Sequence, residues 1–158
     1  MPLDKYYLSL AGEYRVCAEI LKLGVFATVT YGNMKGTDIF AISKSRQVAV
    51  VEVKASNSSR IVTGFYQKYK SEIMEHPMFW VLYSLTEDSE GQQKERFFVL
   101  SHNEMAEVQA RRNHANELPP YEERVLRASK GVDNVLIKHV EQYENAWEKM
   151  QEWCNKTV

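Results

Sequence analysis

Two periodicities alternate along the chain. Residues 4–23 contain no proline and place apolar side chains at Tyr6, Leu10, Cys17, Ile20 and Leu21, spacings that predict an amphipathic helix. Gly32, Asn33 and Gly36 then mark a loop. Two short apolar runs follow, at 39–42 and 48–55. Ser43-Lys44-Ser45-Arg46-Gln47 between them is short and polar, as an antiparallel hairpin connection should be. Strands are expected at 78–85 and 96–100, separated by the acidic stretch 86–91, which would repel nucleic acid and is expected to face away from it. Ser101 and Glu104 predict the start of a helix over 103–111. Residues 113–131, with Pro119-Pro120, read as a long loop. A last helix, beginning between Val132 and Val140, carries the stripe Val140, Tyr143, Trp147, Met150 and Cys154.

The run 48–55 carries two opposite charges. Strand side chains alternate with period two, so Val48, Val50, Glu52 and Lys54 share one face and Ala49, Val51, Val53 and Ala55 the other. Both faces are largely apolar, which predicts a central strand covered on both sides. An ion there loses hydration and needs a partner. The hairpin brings Asp38, at the start of one strand, towards Glu52 and Lys54, near the end of the next. Glu13 falls inside the apolar stripe of the first helix, three residues after Leu10 and four before Cys17, whereas Glu19 falls with Arg15 and Lys22 on the polar side. Two readings of this cluster stand side by side. Neighbouring charges on one strand face, about 6.5 Å apart, suit a metal and a positioned water. Satisfied ion pairs of Lys54 with Asp38 or Glu52 are the structural alternative.

The ordered set Glu13, Gly36-Thr37-Asp38 and Glu52-Val53-Lys54 resembles the PD-(D/E)xK nuclease superfamily, the restriction-endonuclease-like fold. Gly12-Glu13-Tyr14-Arg15-Val16, ending at Leu23-Gly24, is similar to the first helix of its small members. The resemblance spans roughly residues 4–85 and singles out no subfamily; Thr37 stands where the signature has proline. It implies an α/β fold: a central mixed sheet flanked by helices, with a core of helix, three strands, helix and strand, plus an added strand and C-terminal helices. It implies a divalent-metal-dependent endonuclease acting on DNA. Asp38 and Glu52 would hold magnesium, with manganese as a substitute, the Val53 carbonyl would add a ligand, and Glu13 would hold a second metal or orient a bound water. Lys54 would orient or activate the attacking water, or stabilise the phosphorane charge. Gln67 and Tyr69 fall on the following helix, where some family nucleases keep a glutamine and a tyrosine. A nucleic-acid-binding module on the same fold with little catalysis is the alternative. A third reading is an unrelated α/β interaction protein with a buried charge network.

With 158 residues the chain reads as a single domain, 1–158. Its net charge of -1 argues against indiscriminate nucleic-acid binding. Locally, no acid occurs from Val53 through Ser71. Arg60, Gln67, Lys68 and Lys70 there are candidate contacts to a nucleic-acid backbone, or ordinary solvated side chains. Tyr66 and Tyr69 stack on bases or pack in the core. Arg111-Arg112 contacts phosphate or simply ends a helix in solvent. His76, His102, His114 and His139 show no metal-ligand spacing and are expected at the surface or in loops. Cys17 and Cys154 form no CxxC pair and are expected as buried thiols. Two cysteines without a leader indicate the cytoplasm. No GxxxxGK[ST] or GxSxG motif and no membrane-length apolar run occurs. The C-terminal stripe packs on the sheet or forms a homodimer interface.

Overall fold

The structure is a computed structural model that describes residues 3–30, 37–65, 75–113 and 132–157. Asp4 caps the first helix, α1 (Lys5–Lys22), by accepting a hydrogen bond from the Tyr6 backbone N–H at 2.8 Å. The chain leaves α1 through Gly24, whose φ of +78° suits glycine. The buried side of α1 is Leu8, Gly12, Val16, Cys17 and Ile20, while Tyr6 and Leu21 are exposed. The expected stripe is therefore rotated, with only Cys17 and Ile20 in common. Gly12 is the reason. A Cβ there would stand 3.0 Å from Tyr83 Cδ1 and 3.2 Å from Ala55 Cβ, so α1 approaches the sheet most closely where it has no side chain. Reading hydrophobic bulk gives such a position no weight.

Among the described residues six strands follow in order: β1 (Phe26–Val29), β2 (Ile39–Ile42), β3 (Val48–Ser56), β4 (Arg60–Val62), β5 (Phe79–Glu87) and β6 (Gln93–Ser101). Five of them form a mixed sheet in the order β1-β2-β3-β5-β6, antiparallel except for the β3–β5 pair. The second helix, α2 (His102–Arg112), starts on a capping box between Ser101 and Glu104. A seventh strand, β7 (Asn134–Leu136), pairs with β4 in a separate two-stranded ladder. Two 3-10 turns (Ile137–His139 and Glu141–Tyr143) precede the last helix, α3 (Glu148–Asn155).

The sheet divides two apolar layers. On one side α1 and α3 pack on Ala49, Val51, Val53, Val81 and Val99. On the other, β4, β7 and α2 pack through Ile61, Val135 and Met105 on Trp80, Leu82, Phe98 and Leu100. β3 is central, as its two apolar faces predict. Glu52 and Lys54 stand in register with Trp80 and Leu82, so they belong to the second layer.

The expected helix over Gln67 and Tyr69 and the loop at Pro119-Pro120 lie outside the described residues. The acidic turn after β5 lies past the same sheet end as Lys54, since Glu87 stands three residues beyond the Ser56–Ser84 pair.

The long C-terminal helix is not formed. Val140 and Tyr143 join the second layer, whereas Trp147, Met150 and Cys154 join the first. The chain crosses from one to the other around the β6 edge, where Phe98 bridges Glu144 and the Asn145 N–H donates to the Phe97 carbonyl at 2.8 Å. Asn145 takes a positive φ of 54° to make the bend. Helical spacing was mimicked because both halves of the stripe are buried, against opposite sides of the sheet. The crossing also covers a strand edge that would otherwise be open to pairing.

Candidate active site

The β2–β3 ladder ends at the Ile39–Val51 pair, and the same register sets Asp38 opposite Glu52. Asp38 continues the ladder with its side chain: Oδ2 accepts a hydrogen bond from the Val53 backbone N–H at 2.8 Å. That bond turns the carboxylate into the plane of the sheet, at a notch between the layers. Lys54 enters the notch from the second layer and Glu13 from α1 in the first. Glu13, Asp38 and Lys54 line one cleft of about 550 Å³, together with Lys5, Ser9 and Arg60.

Glu52 lies beneath this cleft. Its side chain is 1% exposed, and Lys54 Nζ lies 2.9 Å from its Oε1. Removing one partner of such a buried pair costs about 3–5 kcal/mol. Glu13 is raised from an ordinary 4.5 to about 7, first by burial and then by the charge of Asp38, with Lys54 opposing. Glu13, Asp38 and Glu52 surround the Lys54 ammonium, while Lys5 and Arg60 supply two further cations on the cleft wall.

This donor set fits a hard divalent cation. Its oxygens are carboxylates, and the charge of Asp38, second to burial in raising Glu13, is a repulsion that a cation would relieve. Among the described residues no three His, Cys, Asp or Glu side chains converge closely enough to form a cage. Magnesium needs none, since it takes one or two carboxylates and keeps several waters. Asp38 and Glu13 are the carboxylates on the cleft wall, while Glu52 is reached only beside the Lys54 ammonium.

Arg60 stands on the far wall of the cleft. A turn of hydroxyls fixes it: Ser56 Oγ donates to the Arg60 carbonyl at 2.5 Å, and the Arg60 N–H donates to Ser58 Oγ at 3.2 Å. Gln67, Lys68 and Lys70 lie outside the described residues. Arg15 lies on the polar face with Glu19, 3.2 Å away, as read, and also ties α1 to β6. Its Nε and Nη2 donate to the two Glu95 oxygens at 2.9 and 3.1 Å, and Tyr83 OH donates to the same carboxylate at 2.7 Å.

His102 corrects the expectation of a surface histidine. It is 3% exposed at the first position of α2. Trp80 Nε1 donates to its Nδ1 at 3.2 Å, and His76 stacks on its ring at 3.7 Å. Burial, then His76, lowers its pKa to about 4 against an opposing pull from Glu52, so the ring is neutral at neutral pH. The Ser101–Glu104 capping box was the available signal, because it places the next residue in a first turn lying on the sheet. Lys5 and Ser9 on the cleft wall were also missed. They follow from the rotation of α1 about Gly12. Cys17 and Cys154 are buried free thiols, as expected.

No protein-family model and no curated protein sequence matches the chain. Among solved structures it is similar to a bacterial homing endonuclease, I-Ssp6803I, with a TM-score of 0.51 at 10% identity, over 96% of this chain and 94% of that one. At that identity the likeness is one of fold: a mixed α/β architecture with a five-stranded sheet and flanking helices, shared with a homing endonuclease along nearly the whole of both chains.

Proposed function

We propose that the protein is a divalent-metal-dependent nuclease of the PD-(D/E)xK type, hydrolysing phosphodiester bonds of DNA. The observation that carries this reading is the single cleft where Glu13, Asp38 and Lys54 meet above the buried Glu52. These are the residues that resemble the family signature, in the expected elements. The fold shared with a homing endonuclease supports the same reaction class and the choice of DNA.

In this reading Asp38 and Glu13 hold the metal, magnesium or manganese, with Glu52 completing the set. The metal would supply a bound water of lowered pKa and charge neutralisation at the phosphate. The chain's own groups do the rest. The hydrogen bond from the Val53 N–H holds the Asp38 carboxylate in place before substrate arrives. Lys54, half-buried and anchored on Glu52, presents an ammonium beside the scissile phosphate. It orients the attacking water or stabilises the charged oxygens on the pentacoordinate phosphorus. Glu13, raised to about 7 in the metal-free fold, would be held ionised as a ligand beside the cation. Arg60 and Lys5 flank the cleft and contact the phosphates on either side.

One observation favours the alternative of a binding module with little catalysis: Glu52 is sealed by Lys54 rather than open to the cleft. Nicking of supercoiled, linear and branched DNA, with an RNA control, in magnesium or manganese separates the two. The nuclease reading expects metal-dependent cleavage of DNA, reduced at least about a hundredfold in Lys54→Ala, the scale of losing a positioned electrostatic group. Binding without cleavage of any substrate would support the module instead.

A further inference from the structure

A second cavity, of about 330 Å³, lies between the end of α2 and the 3-10 turns. Arg111, Arg112, Lys138, His139 and Gln142 line it, and no carboxylate is among the described residues of its wall. Arg111 and Arg112 come from one segment, and Lys138 and His139 from another more than twenty residues later. Only the fold brings them together.

Two donors there are set for a ligand. Arg112 Nε is buried and has no hydrogen-bond partner among the described residues. Its Nη2 lies 3.5 Å from Asn134 Oδ1, the outer limit of a bond. His139 Nδ1 accepts from the Leu136 N–H at 3.3 Å, so a neutral ring carries its proton on Nε2 as a donor. Burial, then Lys138 and Arg112, hold His139 below its ordinary pKa, as expected where positive charge is in excess. A buried donor without a partner costs free energy that a tetrahedral oxyanion would relieve. The carbonyls at the end of α2 oppose an anion, but the two arginines of its last turn outweigh them at close range.

We propose that this cavity is a phosphate-binding site, with Arg112 and His139 as the inner donors and Arg111 and Lys138 at the rim. Its ligand is a backbone phosphate of the nucleic acid, an identity that rests on the nuclease reading. The β4–β7 pair connects the two sites. Arg60 lines the catalytic cleft, and its ladder partner Leu136 stands two residues before Lys138. A strand anchored here is held away from the reacting phosphate, so the site contributes to binding and register and not to the chemical step.

The test measures anisotropy of labelled duplex and single-stranded DNA over a salt series, in calcium, for wild type, Arg112→Gln and the rim double variant Arg111→Gln/Lys138→Gln. The rim variant guards against misfolding at half-buried Arg112. Each lost contact should lower the salt slope by about 1, and the double variant should bind roughly tenfold more weakly at physiological salt. Unchanged slope and affinity in both folded variants would overturn the proposal. Calorimetry with inorganic phosphate and pyrophosphate is the second arm. If the protein neither binds nor cuts DNA, the nuclease reading fails. Phosphate binding lost in both variants would then assign the site to a small phosphate, and no binding of either phosphate would reject it.

Discussion

Glu52 has almost no contact with water and rests on Lys54 at 2.9 Å, so the lysine serves the fold as well as the proposed chemistry. Lys54→Met should therefore destabilise the metal-free protein by about 3–5 kcal/mol. Millimolar magnesium should then raise its melting temperature by more than it raises that of wild type, because the metal replaces the missing counter-charge. Thermal denaturation with and without the metal reads this directly. A magnesium effect absent from both proteins would leave Glu52–Lys54 as a structural ion pair. Lys54→Arg should keep the fold yet not restore full cleavage, since a planar fork does not replace a compact ammonium.

Glu13 gives a second test at the same scale. Its carboxyl titrates at about 7 in the fold and near 4.5 when unfolded. The folded state therefore binds more protons between those values, and stability falls as pH rises through that window. Below it the glutamate costs nothing. Above it the cost is complete, on the order of 1 kcal/mol after solvent screening. Glu13→Gln should gain about 2–4 °C in melting temperature above pH 7 and nothing below pH 4.5. An equal gain at both pH values would show that Asp38 and burial do not act on this group.

At the scale of elements, the closest contact is α1 on the sheet. Gly12→Val should cost roughly 2–3 kcal/mol by forcing the helix from Tyr83 and Ala55. It should also weaken metal binding, since Glu13 moves with the helix. Denaturant unfolding and metal calorimetry check the two effects, and a stable variant with unchanged metal affinity would contradict the packing account. Much at this scale was legible in the sequence. The hairpin of β2 and β3, the central place of β3, and the capped start of α2 follow from period and turn chemistry. The rotation of α1 did not, because Gly12 contributes by being absent. The crossing from Val140 to Met150 did not, because burial on two sides of a sheet imitates one helical stripe. Of the candidate site, the convergence of Glu13, Asp38 and Lys54 was legible through their order and elements. The clamp of Arg15 on Glu95, the burial of His102 and the basic cavity at Arg112 and His139 depend on residues far apart in sequence, which no local pattern joins.

Over the whole molecule, a net charge of -1 is distributed unevenly. Lys5 and Arg60 line the cleft of Glu13, Asp38 and Lys54, and Arg111, Arg112 and Lys138 line the cavity on the α2 side of the sheet. Nucleic-acid affinity should accordingly fall steeply with salt. No described helix is long and apolar enough to cross a membrane. The fold similarity to a homing endonuclease extends over 96% of the chain. The central claim is that the carboxylates in the notch hold a metal that cleaves DNA. Asp38→Asn tests it most directly. The amide oxygen can still accept from the Val53 N–H, so the fold should survive within about 0.5 kcal/mol of wild type. The measurement is nicking of supercoiled DNA in magnesium by both proteins. Wild type should cut and the folded Asp38→Asn protein should not; equal cutting by the two, or none by wild type in either magnesium or manganese, would contradict the account.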